Sequence, residues 1–127
     1  MLKQLSIYAE NKKGALQAMT NALYEAGINI WGSVTNDGAE YGINRMVVSD
    51  PDKAKEVLTE KGYLCRFVDV LAVEIEDKPG ALNTLLTALL DSNVNVDYTY
   101  LSFNRDSSTP VMILHTADPE EVEICLK

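Results

Sequence analysis

Two glycines, Gly14 and Gly80, stand sixty-six positions apart, each just ahead of an apolar pattern with helical spacing and each close to amide or carboxylate side chains. That combination can hold a zwitterion. Glycine lets the backbone approach a ligand closely, and the free N–H groups at a helix start favour a carboxylate. Asn11, Asn29 and Asn95 add amides that both donate and accept hydrogen bonds, and Asp77 can meet an ammonium group. An amino acid needs such anion and cation sites close together in a pocket that displaces water.

Each of these residues has a plainer reading. Gly14 and Gly80 serve turn geometry alone, Asn29 and Asn95 bridge local backbone where a helix turns into a strand, and Asp77 complements the positive end of a helix. Trp31, Tyr98 and Tyr100 read first as sheet-face or interface packing, and as pocket walls they would favour a hydrophobic or aromatic ligand. The binding reading gains from the expected convergence of the polar residues near one turn in both copies.

The elements that must position them come from an internal duplication. Glu10 to Ile30 (ENKKGALQAMTNALYEAGINI) lies over Glu76 to Val96 (EDKPGALNTLLTALLDSNVNV), with identities at Glu10/Glu76, Lys12/Lys78, Gly14/Gly80, Ala15/Ala81, Leu16/Leu82, Ala22/Ala88, Leu23/Leu89 and Asn29/Asn95. Upstream, Leu5, Ile7 and Ala9 alternate as Leu71, Val73 and Ile75 do, which predicts half-buried strands. Downstream, Leu16, Met19, Leu23 and Leu82, Leu85, Leu89 have helical spacing, ended by a left-handed cap at Gly27 or Asn93.

Two strands follow in each copy. Ile28 to Asn36 and Tyr41 to Ser49 flank a turn at Asp37-Gly38, and Val94 to Asn104 and Pro110 to Thr116 flank the polar Arg105 to Thr109. Asp50-Pro51 and Asp118-Pro119 then open a second helix, with aspartate as N-cap and proline at the first helical position. Ala54, Val57, Leu58 and Val122, Cys125, Leu126 are its apolar stripes.

The expected fold is α+β: two tandem ferredoxin-like βαββαβ repeats, 1–68 and 69–127, with antiparallel sheets and the helices on one face. Tyr63 to Val68 is the fourth strand of the first repeat and runs with scarcely a break into Val70 to Glu76, as one long strand or with a slight bend that serves both sheets. The second repeat lacks its last strand, which leaves the edge of Leu71 to Ile75 in need of cover from a partner chain, the other half or further sequence.

Of the 127 residues, 11 are basic and 19 acidic, a net charge of −8, which argues against a nucleic-acid surface. The imbalance lies in the second half: residues 1–68 carry 8 basic and 8 acidic side chains, and 69–127 carry 3 and 11. No apolar run approaches the roughly 20 residues of a membrane helix, and the start does not read as a signal peptide; a cytoplasmic protein is expected. Cys65 and Cys125 are isolated among apolar neighbours, as buried small hydrophobes.

The phrases ENKKGAL…GINI and EDKPGAL…NVNV resemble the ACT domain family, in which a strand leads through an acidic-or-Asn, x, Pro, Gly, x, Leu turn into a helix and an Asn-Ile strand start. The resemblance covers nearly the whole chain as two copies. It implies a free-standing regulatory protein that binds an amino acid or similar small ligand through ligand-dependent pairing of domains. Asn11 and Asn29 match the positions that hold ligand in serine-binding members, as Asp77 and Asn95 do in the second copy. The histidine of those members is Ala9 or Ile75 here, and Lys13 replaces the usual proline that Pro79 keeps. The implied ligand-binding set is Asn11, Lys13, Gly14, Ala15 and Asn29 with Asp77, Pro79, Gly80, Ala81 and Asn95. A homodimer and a metabolic enzyme or regulator are the expected partners.

Catalysis is disfavoured. His115 is the sole histidine, sits in an alternating strand and has no recognisable nucleophilic partner. No nucleotide, zinc-protease or calcium-loop motif occurs, no metal or cofactor is expected, and the first strand-to-helix loops lack the arginine of an acylphosphatase and the CxxC of a copper carrier. The competing non-enzymatic reading is a structural module that assembles through its edge without ligand.

Overall fold

A computed structural model of the chain describes residues 1–10, 12–36, 41–103 and 109–125. The elements are β1 (Leu2–Glu10), α1 (Ala15–Glu25), β2 (Ile30–Asn36), β3 (Tyr41–Val48), α2 (Pro51–Glu60), β4 (Leu64–Glu74), α3 (Ala81–Asp91), β5 (Val96–Phe103), β6 (Pro110–Thr116) and α4 (Pro119–Cys125). The order is the expected α+β duplication, two ferredoxin-like units in tandem, and β4 is one long strand, the first of the two forms expected. Asn11, the Asp37-Gly38 turn, Asn104 to Ser108 and Leu126 lie outside the described residues, as does the side chain of Cys125.

Lys3–Val68 forms one compact unit, with strand order β2-β3-β1-β4. β1 and β3 are antiparallel from Leu5↔Met46 to Glu10↔Tyr41. Leu5, Ile7, Met46 and Val48 on one sheet face meet Met19 and Leu23 of α1 and Ala54 and Leu58 of α2 in a continuous core. Period two in the strands and three-to-four in the helices thus converge on one layer. The opposite face of β1 is closed as well: Gln4 is fully buried and Ser6 nearly so, where simple alternation predicts exposure.

Met1–Leu2 and Asp69–Lys127 form the second unit, with order β4-β6-β5 and registers of Leu71↔Leu114 to Glu74↔Val111 and Val96↔Thr116 to Phe103↔Pro110. Among the described residues its helix-side core buries Leu71, Leu89, Leu114 and Val122. β4 has β6 on one side and β1 on the other, and this unit includes Met1 and Leu2, the latter the first residue of β1. The border of β4 that the sequence leaves without a fourth strand is therefore met in part by the chain's own first residues. The Met1 ammonium also pairs with Glu123 of α4 at 2.6 Å.

The helix ends are built as the sequence predicts. Asp50 accepts from the Lys53 amide at 3.2 Å with Pro51 behind it, and Asp118 accepts from the Glu121 amide at 3.4 Å. Gly27 and Asn93 take positive φ, 73° and 60°. The next amides, Ile28 and Val94, reach back to the Leu23 and Leu89 carbonyls at 3.0 and 2.9 Å, the six-to-one bond of a Schellman cap.

Cys65 is buried in the first core, and burial pushes its thiol above the ordinary value of 9.0, against the opposing pull of Lys55. The folded chain thus holds this proton more tightly than the unfolded chain does. Stability from this group is complete below about pH 9 and falls as pH rises from there through the raised folded value. Denaturation midpoints followed from pH 8 to 10.5 should fall more steeply for the parent than for Cys65→Ala, and equal slopes would remove the thiol as the cause.

Candidate functional site

The two strand-to-helix turns have nearly the same backbone. Gly14 and Gly80 sit at the N-caps of α1 and α3 with φ, ψ of 84°, −8° and 88°, −8°, a conformation that costs an L side chain roughly 1 to 2 kcal/mol. The Lys12 and Lys78 amides return to the Glu10 and Glu76 carbonyls at 3.1 and 3.0 Å, and the Ala15 and Ala81 amides to the Lys12 and Lys78 carbonyls at 3.2 and 3.3 Å. Even the surface ion pairs repeat, Lys12 with Glu10 at 3.0 Å and Lys78 with Glu76 at 2.9 Å. No side chain caps either helix start, so first-turn amides are open to an acceptor from outside.

In the first unit the turn borders a half-open cleft of about 760 Å³, within the size range of small-molecule sites. Lys12, Lys13, Gly14 and Ala15 form its turn side, Tyr8 and Glu10 its strand side, and Lys61, Gly62 and Tyr63, between α2 and β4, with Leu64 at the start of β4, the far wall. A smaller cavity of about 180 Å³ lies on the other side of the turn, toward Thr35, Asn36, Gly42 and Asn44 of β2 and β3. Asn44 forms part of its wall. Its buried amide donates to Ser33 Oγ at 3.0 Å and Thr35 Oγ1 at 2.8 Å.

Of the residues singled out from the sequence, Lys13, Gly14 and Ala15 line the larger cleft; Lys61, Tyr63 and Asn44 line the two cavities without having been singled out. Within one unit the structure does not bring Asn29 to the larger cleft. α1, eleven residues long, separates Gly14 from Asn29 by about 16 Å, and the Asn29 backbone pairs instead with Ser49, its main-chain N–H donating to Ser49 Oγ and its main-chain carbonyl accepting from the Ser49 N–H, both at 2.9 Å. A β1-helix-β2 crossover starts β2 at the opposite sheet end from the turn, so the shared motif converges in sequence and diverges in space.

The second unit differs around the same framework. Asp77, Pro79, Gly80 and Ala81 line an exposed or half-exposed turn. Asn95 Nδ2 donates to Asp97 Oδ1 at 3.2 Å, Asp97 Oδ2 pairs with His115 Nδ1 at 2.9 Å, and Tyr98 stacks on the His115 ring at 4.9 Å. Asp97 falls at a register shift between Val96 and Tyr98, and Trp31 falls at the matching shift between Ile30 and Gly32. The bulge is thus common to both copies, aiming an indole in one and a carboxylate in the other. Among the described residues no group of three or more His, Cys, Asp or Glu side chains forms a metal site, and no helix is long and apolar enough to cross a membrane.

The structure resembles protein BT0572 from Bacteroides thetaiotaomicron at 31% identity and a TM-score of 0.89, over 98% of this chain and 85% of that one. The fold is also that of the ligand-free regulatory subunit of aspartate kinase from Thermus thermophilus (14% identity, TM-score 0.69, 98% of this chain and 89% of that one). It is shared with the corresponding subunit from Thermus flavus (17%, 0.58, 100% and 95%). No protein of curated function matches. The family model described as an ACT domain pair matches residues 1–126, and the chain belongs to that family.

Proposed function

We propose that the chain is a non-catalytic regulatory protein of the cytoplasm that binds an amino acid or a related small acid and reports its presence through domain pairing. The observation that carries this reading is the doubled turn, with matching backbone, matching ion pair and uncapped helix start in both copies of an ACT pair. Lys13, Gly14 and Ala15 with Asn11, and Asp77, Pro79, Gly80 and Ala81, form the turn halves of the sites. Asn29 and Asn95 lie at the far ends of their own sheets. They complete a site only when a turn from another repeat or another copy is brought against them, which ties binding to association. We place the repeat boundary at 68/69. A second copy of this chain is the proposed structural partner, and a metabolic enzyme or regulator is the proposed target, the latter by fold analogy alone.

A thermal-shift screen of the twenty amino acids and their oxo acids tests this directly. Ligand at 100 times its dissociation constant stabilises by about 2.7 kcal/mol. Asn29→Ala and Asn95→Ala remove exposed side chains and should shift stability by less than about 0.5 kcal/mol, while weakening the ligand found by roughly tenfold, the worth of one lost polar contact. Sedimentation should show more dimer with ligand than without. A flat screen, or association indifferent to ligand, would leave the structural-module reading in its place.

A further inference from the structure

The cleft of the first unit carries a charge pattern ill suited to a zwitterion. Its wall holds three ammonium groups, Lys12, Lys13 and Lys61, and one carboxylate, Glu10. Glu10 is already engaged by Lys12 at 3.0 Å. Among the described residues, neither Lys13 nor Lys61 meets a carboxylate. Three of the backbone acceptors nearby are also in use: the carbonyls of Glu10, Lys12 and Gly14 accept from the amides of Lys12, Ala15 and Ala18 at 3.1, 3.2 and 3.0 Å. A ligand ammonium entering this cleft would face like charges, with few good acceptors to replace its water. A carboxylate meets the opposite situation, two cations without partners on facing walls.

The remaining surface is apolar or aromatic: Ala9, Ala15, Ala18, Leu64 and the rings of Tyr8 and Tyr63. Volume and lining together fit a carboxylate attached to an aromatic or branched apolar group. We infer that this cleft selects an oxo or aryl carboxylic acid without an α-ammonium group over the amino acid of the same skeleton. The inference rests on the ligand-binding reading above and specifies the ligand class of the first repeat alone. In the second, Asp77 and Pro79 stand where Asn11 and Lys13 stand, so that turn carries one net negative charge where the first carries one net positive charge, and it does not share the preference.

The test is calorimetric titration of the full chain with matched pairs: phenylpyruvate against phenylalanine, and 4-methyl-2-oxopentanoate against leucine. Parent, Lys61→Gln and Asn29→Ala are compared. Lys61 is exposed and lies outside the turn, so its loss leaves turn and fold intact. The expected result is an oxo acid bound at least tenfold more tightly than its amino acid, weakened about tenfold by Lys61→Gln and by added salt, and weakened about tenfold by Asn29→Ala as the regulatory reading requires. An amino acid bound as tightly as its oxo acid, or oxo-acid binding indifferent to Lys61→Gln, overturns the inference. If amino acids bind and Asn29→Ala alone weakens them, the regulatory reading stands without it; if no acid of either kind binds, both fall.

Discussion

Leu23→Ala lowers the stability of the first repeat by about 4 kcal/mol, and the equivalent Leu89→Ala lowers that of the second by about 2 to 3 kcal/mol, within the span of roughly 2 to 5 for buried leucines. The two residues are 0% and 1% exposed and occupy the same helical position sixty-six residues apart. What differs is the surroundings. Leu23 sits among ten other buried residues drawn from both helices and three strands and the segment before β2, a site with little freedom to collapse around a cavity. Among the described residues Leu89 has three buried companions. A looser site relaxes further, and the cost follows the cavity that remains. Denaturant midpoints for the two variants decide it: equal losses would mean that burial alone sets the cost and the denser core confers no extra penalty.

The fold was legible because the duplication reads every element twice. A period-2 run before Gly14 is one observation; the same run before Gly80, with the same apolar helical positions after it, leaves little choice of topology. Local rules then placed the ends. Asp50-Pro51 and Asp118-Pro119 start helices where their side chains reach the third amide onward, and Gly27 and Asn93 end them at positive φ. The burial of Gln4 and Ser6 was not legible, because alternation along β1 describes one covered face and these polar residues occupy the other. The cover for the β4 border was equally hidden, since nothing in the residues at the start of the chain says that they join the second unit.

The candidate site was half legible for a different reason. Gly14 and Gly80 announce a turn because only a residue without Cβ takes φ near 85° at little cost. Lys61 and Tyr63 follow a helix end in a stretch that carries no motif, and they reach the cleft only because β4 returns beside β1. That proximity is tertiary. Asn29 shows the converse: a motif position is visible in sequence, yet eleven helical residues stand between it and the turn, so its role depends on what lies against the far sheet end. Asn44 offered one faint signal. It occupies the alternation that Met46 and Val48 continue into the core, and a polar residue there requires partners.

That requirement gives the second large effect. Asn44 is 2% exposed, and both hydrogens of its amide are used, one on Ser33 Oγ and one on Thr35 Oγ1. Replacing the acceptors by Ser33→Ala with Thr35→Val leaves the amide buried beside Met19 in a small cavity, with a methyl group where the Thr35 hydroxyl had been. The expected loss is about 2 kcal/mol, the desolvation penalty of an unpaired polar group, for which the usual span is about 1 to 3. Adding Asn44→Leu to that double variant should recover most of the loss, because an apolar side chain of similar size needs no partner and gains contact with the core. Asn44→Leu alone should cost little, since the hydroxyls it abandons belong to exposed residues and return to water. Urea denaturation of the four proteins closes the cycle. If the triple variant is no more stable than the double, the penalty comes from packing around β2 and the amide is not what holds that strand to β3.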